Sequence, residues 1–213
     1  MEAEALLTLA QWLSPAYPTG AFAWSHGLET ATAERLVTDA ASLERWIADL
    51  LAHGSGRTDA ILLGEAFRAD PAALPDLHDL ALALAPSSER IAETREQGAA
   101  FAAVTRAVWG FDLPDMVLPL AMGRAAALAG LPLRPVVQLH LQGLASSQVQ
   151  AALRLMPLGQ TAGQVVLHRL APLCARIAEE SLSLTAEDIG ACALGLDLAA
   201  MRHETLSPRI FRS

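Results

Sequence analysis

Lysine and asparagine are both missing from the 213 residues, and all 15 basic residues are arginine. Without lysine there is no Walker A phosphate loop and no amine for Schiff-base chemistry. Without asparagine there is no N-glycosylation site. Cysteine is limited to Cys174 and Cys192, each within a helical pattern, so no disulfide framework forms and a reducing, cytoplasmic compartment is expected. Positive charge is outnumbered: a net charge of −8 and a pI near 5.2 argue against a nucleic-acid partner. Valine and isoleucine together number 15, and alternating strands are nearly absent. Long apolar runs are lacking too. The longest, Met116 to Leu133, is interrupted by Pro119, Gly123 and Arg124, which predicts no membrane-spanning helix. The opening MEAEALLTLAQWLSPAY places two glutamates and no basic segment ahead of its apolar run, unlike a secretory signal.

What is present is helical spacing, built from alanine and leucine, which supply 80 residues. Leu6, Leu9, Ala10 and Leu13 form a first face. Leu43, Trp46, Ile47, Leu50 and Leu51 follow the i, i+3, i+4, i+7, i+8 pattern, with Thr38 or Asp39 as cap. Ser87 or Ser88 caps a long helix to Trp109, whose Glu89, Arg90, Glu93, Arg95 and Glu96 read as a solvated face. Gly130 closes a helix from Pro119, and Pro135 opens one that ends before Pro157. Thr161–Gln164 fits a capping box for the next helix, which Pro172 kinks, and Thr185–Asp188 starts the last helix. Past Met201 the pattern stops, leaving RHETLSPRIFRS as a free charged tail with an exposed Phe211. The expectation is one all-α domain over residues 1–213, of roughly ten helices, with a Pro/Gly-rich N-terminal turn and an extended tail at 201–213. High apolar content, 53% against 18% charged residues, predicts a homodimer.

One stretch departs from this plain composition. Ser14–Glu29, SPAYPTGAFAWSHGLE, sets Pro15, Pro18, Gly20 and Gly27 among Tyr17, Phe22, Trp24 and His26. Proline fixes φ and glycine admits positive φ, so the segment reads as a shaped turn feeding a helix from about Phe22 to Ala33. It is either an ordinary interhelical corner or a rigid surface for a partner. His26 and Glu29 stand at metal-ligand spacing on a helix, but two residues do not make a site, and Glu-x-x-His pairs are absent. No Gly-x-Ser-x-Gly elbow occurs, and Cys174 and Cys192 lie in apolar helices, so composition argues against an enzyme. The rivals to a partner surface are a stand-alone helical binder of nickel or a small molecule, using His26 and Glu29, and a small helical hydrolase.

Four segments together resemble the urease accessory protein UreF family: SPAYPTGAFAWSHGLE, ERIAETREQG, LRLMPLGQTAGQ and the ending MRHETLSPRIFRS. They keep the family's order and span nearly the whole chain. Ala23, Trp24, His26, Leu206, Ser207 and Pro208 depart from the family pattern. The resemblance implies a dimeric all-α scaffold without catalysis of its own, which joins UreD (UreH in some systems) and the GTPase UreG. Such a scaffold has no intrinsic cofactor: nickel passes through the complex into apo-urease, and GTP is bound by the partner. It places partner contacts at Pro15, Tyr17, Pro18, Gly20, Ser25, His26, Gly27 and Glu29, and in the tail at Arg202, His203, Glu204, Thr205, Arg209, Phe211 and Arg212. Read as a free tail, truncation after Leu206 is expected to abolish UreD binding and leave thermal unfolding unchanged.

Overall fold

Asp39 shows how local chemistry sets helix boundaries here. In the computed structural model, which describes residues 3–190 and 192–213, its carboxylate accepts the Ser42 N–H at 2.8 Å. Ser42 Oγ accepts the Asp39 N–H at 3.0 Å in return, so helix α3 (Ala40–His53) opens on a reciprocal cap. Ser87 caps α6 (Ser88–Trp109) one way, its Oγ accepting the Arg90 N–H at 3.1 Å. The remaining helices are α1 (Ala3–Trp12), α2 (Leu28–Ala33), α4 (Ser55–Arg68), α5 (Leu74–Ala83), α7 (Leu118–Leu128), α8 (Leu133–Leu155), α9 (Gln160–Ser181) and α10 (Leu194–His203). Short 3₁₀ turns occupy Ala21–Ala23, Pro71–Ala73 and Ala186–Asp188, and no strand occurs among the described residues.

Helix α4 lies at the centre, packed on α3, α7, α8 and α9. It meets α7 backbone to backbone: a Cβ at Gly123 would collide with the Leu63 carbonyl. Gly98 does the same for α6, whose backbone passes directly over Met116–Leu118. Leu43, Ile47, Leu51, Leu62, Leu63, Leu120 and Leu141 fill the interior, each worth about 1.5–3 kcal/mol by its burial. The continuous apolar cluster runs from Leu9 to Phe211, so Phe211 of the tail belongs to the core. Cys174 lies in it too, and burial pushes its thiol up to about 11, which makes it unreactive.

Several boundaries differ from the sequence expectation. Helix α1 buries Leu9 and Trp12 and leaves Leu6 and Ala10 exposed; it docks through Trp12, whose ring stands edge-on to those of Phe101 and Trp109 with centroids 5.5 Å apart. The segment from Phe22 to Ala33 is not one helix, since left-handed residues at His26 and Gly27 break it. Gly159, without a side-chain cap, precedes α9 in place of Thr161. Thr185–Asp188 does not start the last helix: it caps only a 3₁₀ turn, α10 begins at Leu194, and exposed Cys192 precedes it rather than lying in a helix.

Candidate functional site

The Ser14–Glu29 loop is held by its aromatic residues and bent by its glycines. Tyr17 is buried against Phe101, and its hydroxyl meets Thr105 Oγ1 at 2.8 Å. Pro15 and Pro18 remain exposed, and Gly20 takes φ +74° at an open position. Phe22 then stands 80% exposed at the tip, while Trp24 and Ser25 turn inward. His26 (φ +52°) and Gly27 (φ +76°) swing the chain into α2. Only glycine serves at position 27, because a Cβ there would lie 2.6 Å from the Ala200 nitrogen of α10.

The tail is not free. It folds back across this loop, and Phe211 is 3% exposed, contrary to the exposed anchor expected. The reason is a set of complementary partners waiting beneath it. The Glu29 carboxylate accepts the backbone N–H of Ile210 at 2.6 Å and of Phe211 at 2.8 Å. The Arg212 N–H donates to the Ala23 carbonyl and the Ser25 N–H to the Ser213 carbonyl, both at 2.9 Å. Arg212 forks onto Glu96 at 2.6 and 2.7 Å and lies over the Trp24 ring, while Arg154 of α8 covers Phe211 and donates to the Phe22 carbonyl. The two stretches that looked separate in sequence are one surface.

Under that surface runs a line of buried charge. His26 Nε2 is 2.8 Å from Glu93 Oε1, Glu93 Oε2 is 3.3 Å from Arg90, and Arg90 is 2.9 Å from Asp59 of α4. Gln97 also donates to Glu93. Glu93 is 2% exposed, so the run on α6 is not the solvated face expected; only Arg95 and Glu96 point outward. Burial opposes ionisation of Glu93, but His26 and Arg90 outweigh it and hold its carboxyl below the usual range. At Glu29 burial is likewise overcome, by hydrogen bonds from His203, Phe211 and Ile210. His140, with Nε2 4.0 Å from Asp59, is pushed down by desolvation. Ser55, Asp59, Arg90, Glu93 and Asp197 line a cavity of about 90 Å3 beside His26, and burial raises the Asp197 carboxyl.

His26 and Glu29 do not act as a pair: each is committed to a different partner, Glu93 and His203. No group of three or more His, Cys, Asp or Glu side chains stands ready for a metal ion among the described residues. Of the residues expected to meet a partner, Pro15, Pro18, Arg202, Glu204, Thr205, Arg209 and Arg212 are exposed. Tyr17, Ser25, His26, Gly27, Glu29, His203 and Phe211 are buried and shape the surface from below, and Gly20 is half-buried. Glu89, Arg90, Glu93, Asp59 and Arg154 belong to the same assembly and were missed. The signals available were the i, i+3 spacing of Arg90 and Glu93 and the family resemblance of ERIAETREQG, which contains Glu89, Arg90 and Glu93.

The UreF family model matches residues 37–171. Urease accessory protein UreF of Cereibacter sphaeroides (strain KD131) is 59% identical over 210 residues, covering 98% of this chain and 99% of that protein. The chain belongs to the UreF family. Like its relatives it is an accessory protein, not an enzyme. The UreF proteins of Ruegeria pomeroyi, 47% identical over 209 residues, and Paracoccus denitrificans, 46% over 211, each cover 98% of this chain and are themselves 96% covered. The UreF model spans Asp59, Glu89, Arg90 and Glu93 but neither the loop nor the tail. The full-length relatives extend over both. No helix among the described residues is long and apolar enough to cross a membrane.

Proposed function

We propose that the chain serves urease maturation as a scaffold. It joins UreD (UreH) to the GTPase UreG and couples the nucleotide state of UreG to nickel release into apo-urease. Nickel is cargo in this reading and GTP belongs to the partner, so the chain itself needs neither catalysis nor a resident cofactor. It works in the cytoplasm as a homodimer.

One observation carries the reading: the loop and the tail are locked together into a single preformed surface. Phe22 and Ile210, 80% and 62% exposed, project from it beside Arg209 and Arg212. Aromatic and arginine side chains on a rigid support are what interface centres favour, and preorganisation lowers the entropic cost of docking. Co-expression with UreD and UreG, followed by sizing and nickel-dependent urease activation, tests it. A stable complex that activates urease is expected. Activation by UreD and UreG without this chain would overturn it.

A further inference from the structure

The cavity of about 90 Å3 beside His26 lies between α4, α6 and α10, and its floor is ionic. Asp59 and Glu93 are 8% and 2% exposed, and Arg90 reaches both, at 2.9 and 3.3 Å. Arg90 donates only to Oδ2 of Asp59, while Glu93 Oε2 and Ser55 Oγ are buried without a hydrogen-bond partner. Asp197 of α10 also lines the cavity, forms no ion pair among the described residues, and has its carboxyl raised by burial. A raised carboxyl marks a buried carboxylate that lacks a counterion. Three carboxylates therefore face one guanidinium and His26, which is committed to the other Glu93 oxygen. Leu50, Leu62 and Leu196 make much of the remaining lining apolar. Half-exposed Pro86 and Asp197 put the mouth beside α10, at the turn that joins α5 to α6.

The surplus of acceptors selects the guest. An anion would meet three carboxylates. A bare metal ion finds no group of three or more side chains placed to ligate it among the described residues. A neutral molecule leaves Asp197 uncompensated. A monocation with several N–H donors answers all of these, and the apolar lining suits a hydrocarbon stem behind it. We propose that the cavity binds a primary ammonium group on a short alkyl stem, with the N–H groups donating to Asp197, Asp59 and Glu93. A cavity of about 150 Å3 accepts benzene, so one of about 90 Å3 takes roughly four heavy atoms, the nitrogen and three carbons. Those atoms are a free short-chain amine or the far end of a lysine side chain. The chain contains no lysine, so an inserted lysine comes from another protein. The site's chemistry requires neither UreD nor UreG, so its failure and that of the scaffold reading are separable.

Titration of the isolated full chain with n-propylammonium chloride at about pH 7, where such an amine is charged as lysine is, tests the site by proton–nitrogen NMR. Shifts at the Ser55, Thr94 and Asp197 amides should saturate with a Kd of about 1–10 mM, ordinary for so few atoms. Nuclear Overhauser contacts from the propyl protons to the Leu50 and Leu196 methyls should accompany them. Removing the charge from the guest, with n-propanol, or from the wall, with Asp197→Asn, should each weaken binding about tenfold or more. The contacts on the unmodified chain stand even if the variant folds poorly. Nα-acetyl-lysine methylamide separates the two sources: its entry assigns the site to an inserted lysine, and its exclusion to a free amine. Shifts that never saturate or scatter over surface carboxylates would overturn the proposal. So would n-propanol binding as tightly as the amine, or full affinity in Asp197→Asn.

Discussion

Phe211 supplies the sharpest test of a docked tail. Its side chain is buried beneath Arg154, and its N–H is one of the two that satisfy Glu29. Burying a phenylalanine is worth about 1.5–3 kcal/mol, while each tail residue held in place costs about 1–2 kcal/mol of chain entropy. The balance for so short a segment is small, so losing this one ring is expected to release the whole tail. Phe211→Ala and deletion of residues 207–213 should therefore have the same effect, because neither can cost more than docking itself provides. We expect about 2–3 kcal/mol, which for a chain of this length lowers Tm by about 4–12 °C. Thermal melts by circular dichroism measure it, and trypsin cleavage after Arg212 should accelerate in Phe211→Ala. A deletion variant melting together with the intact protein would refute the reasoning, and that is the outcome a free tail predicts.

Gly27→Ala should cost more than about 2 kcal/mol, since its left-handed backbone alone costs about 1–2 and the new Cβ strikes α10. Gly20→Ala, equally left-handed but facing open space, should lose only the backbone part; equal denaturation midpoints for the two would remove the claimed close approach. Glu93→Ala removes the buried partner of His26 and one of the two carboxylates on Arg90, and should destabilise by about 3–5 kcal/mol in chemical denaturation. Glu29 and Glu93 are held below their ordinary pKa of 4.5, so their contribution is present above that value and is lost as pH falls through the folded values. Tm should hold down to about pH 5 and fall below it, and a Tm insensitive to acid would contradict the buried ion pairs.

Local signals carried most of the fold. Asp39 and Ser87 sit where capping chemistry places them, and the stripe from Leu43 to Leu51 faces the core as its spacing requires. The site was half legible. Pro15, Gly20 and Gly27 announced a shaped loop, and Gly20 and Gly27 do adopt positive φ. What failed was the equation of charge with exposure. Glu29, Glu93 and His203 are buried and Glu89 is half-buried, each with a partner far away in sequence that no helical period reveals. Phe211 failed for the same reason: a segment without periodicity was read as solvent-facing. Its ring lies under Arg154 of α8 and its N–H donates to Glu29, 182 residues earlier in the chain.

The central claim is that the locked loop and tail present one surface to a partner. Phe22 and Ile210 are its exposed apolar residues and support nothing beneath them, so Phe22→Ser with Ile210→Ser should leave Tm unchanged. The direct measurement is the affinity of this double variant for purified UreD by titration calorimetry. The account predicts at least a tenfold loss, about 1.4 kcal/mol or more. Undiminished affinity in a variant that folds and docks its tail normally would contradict it.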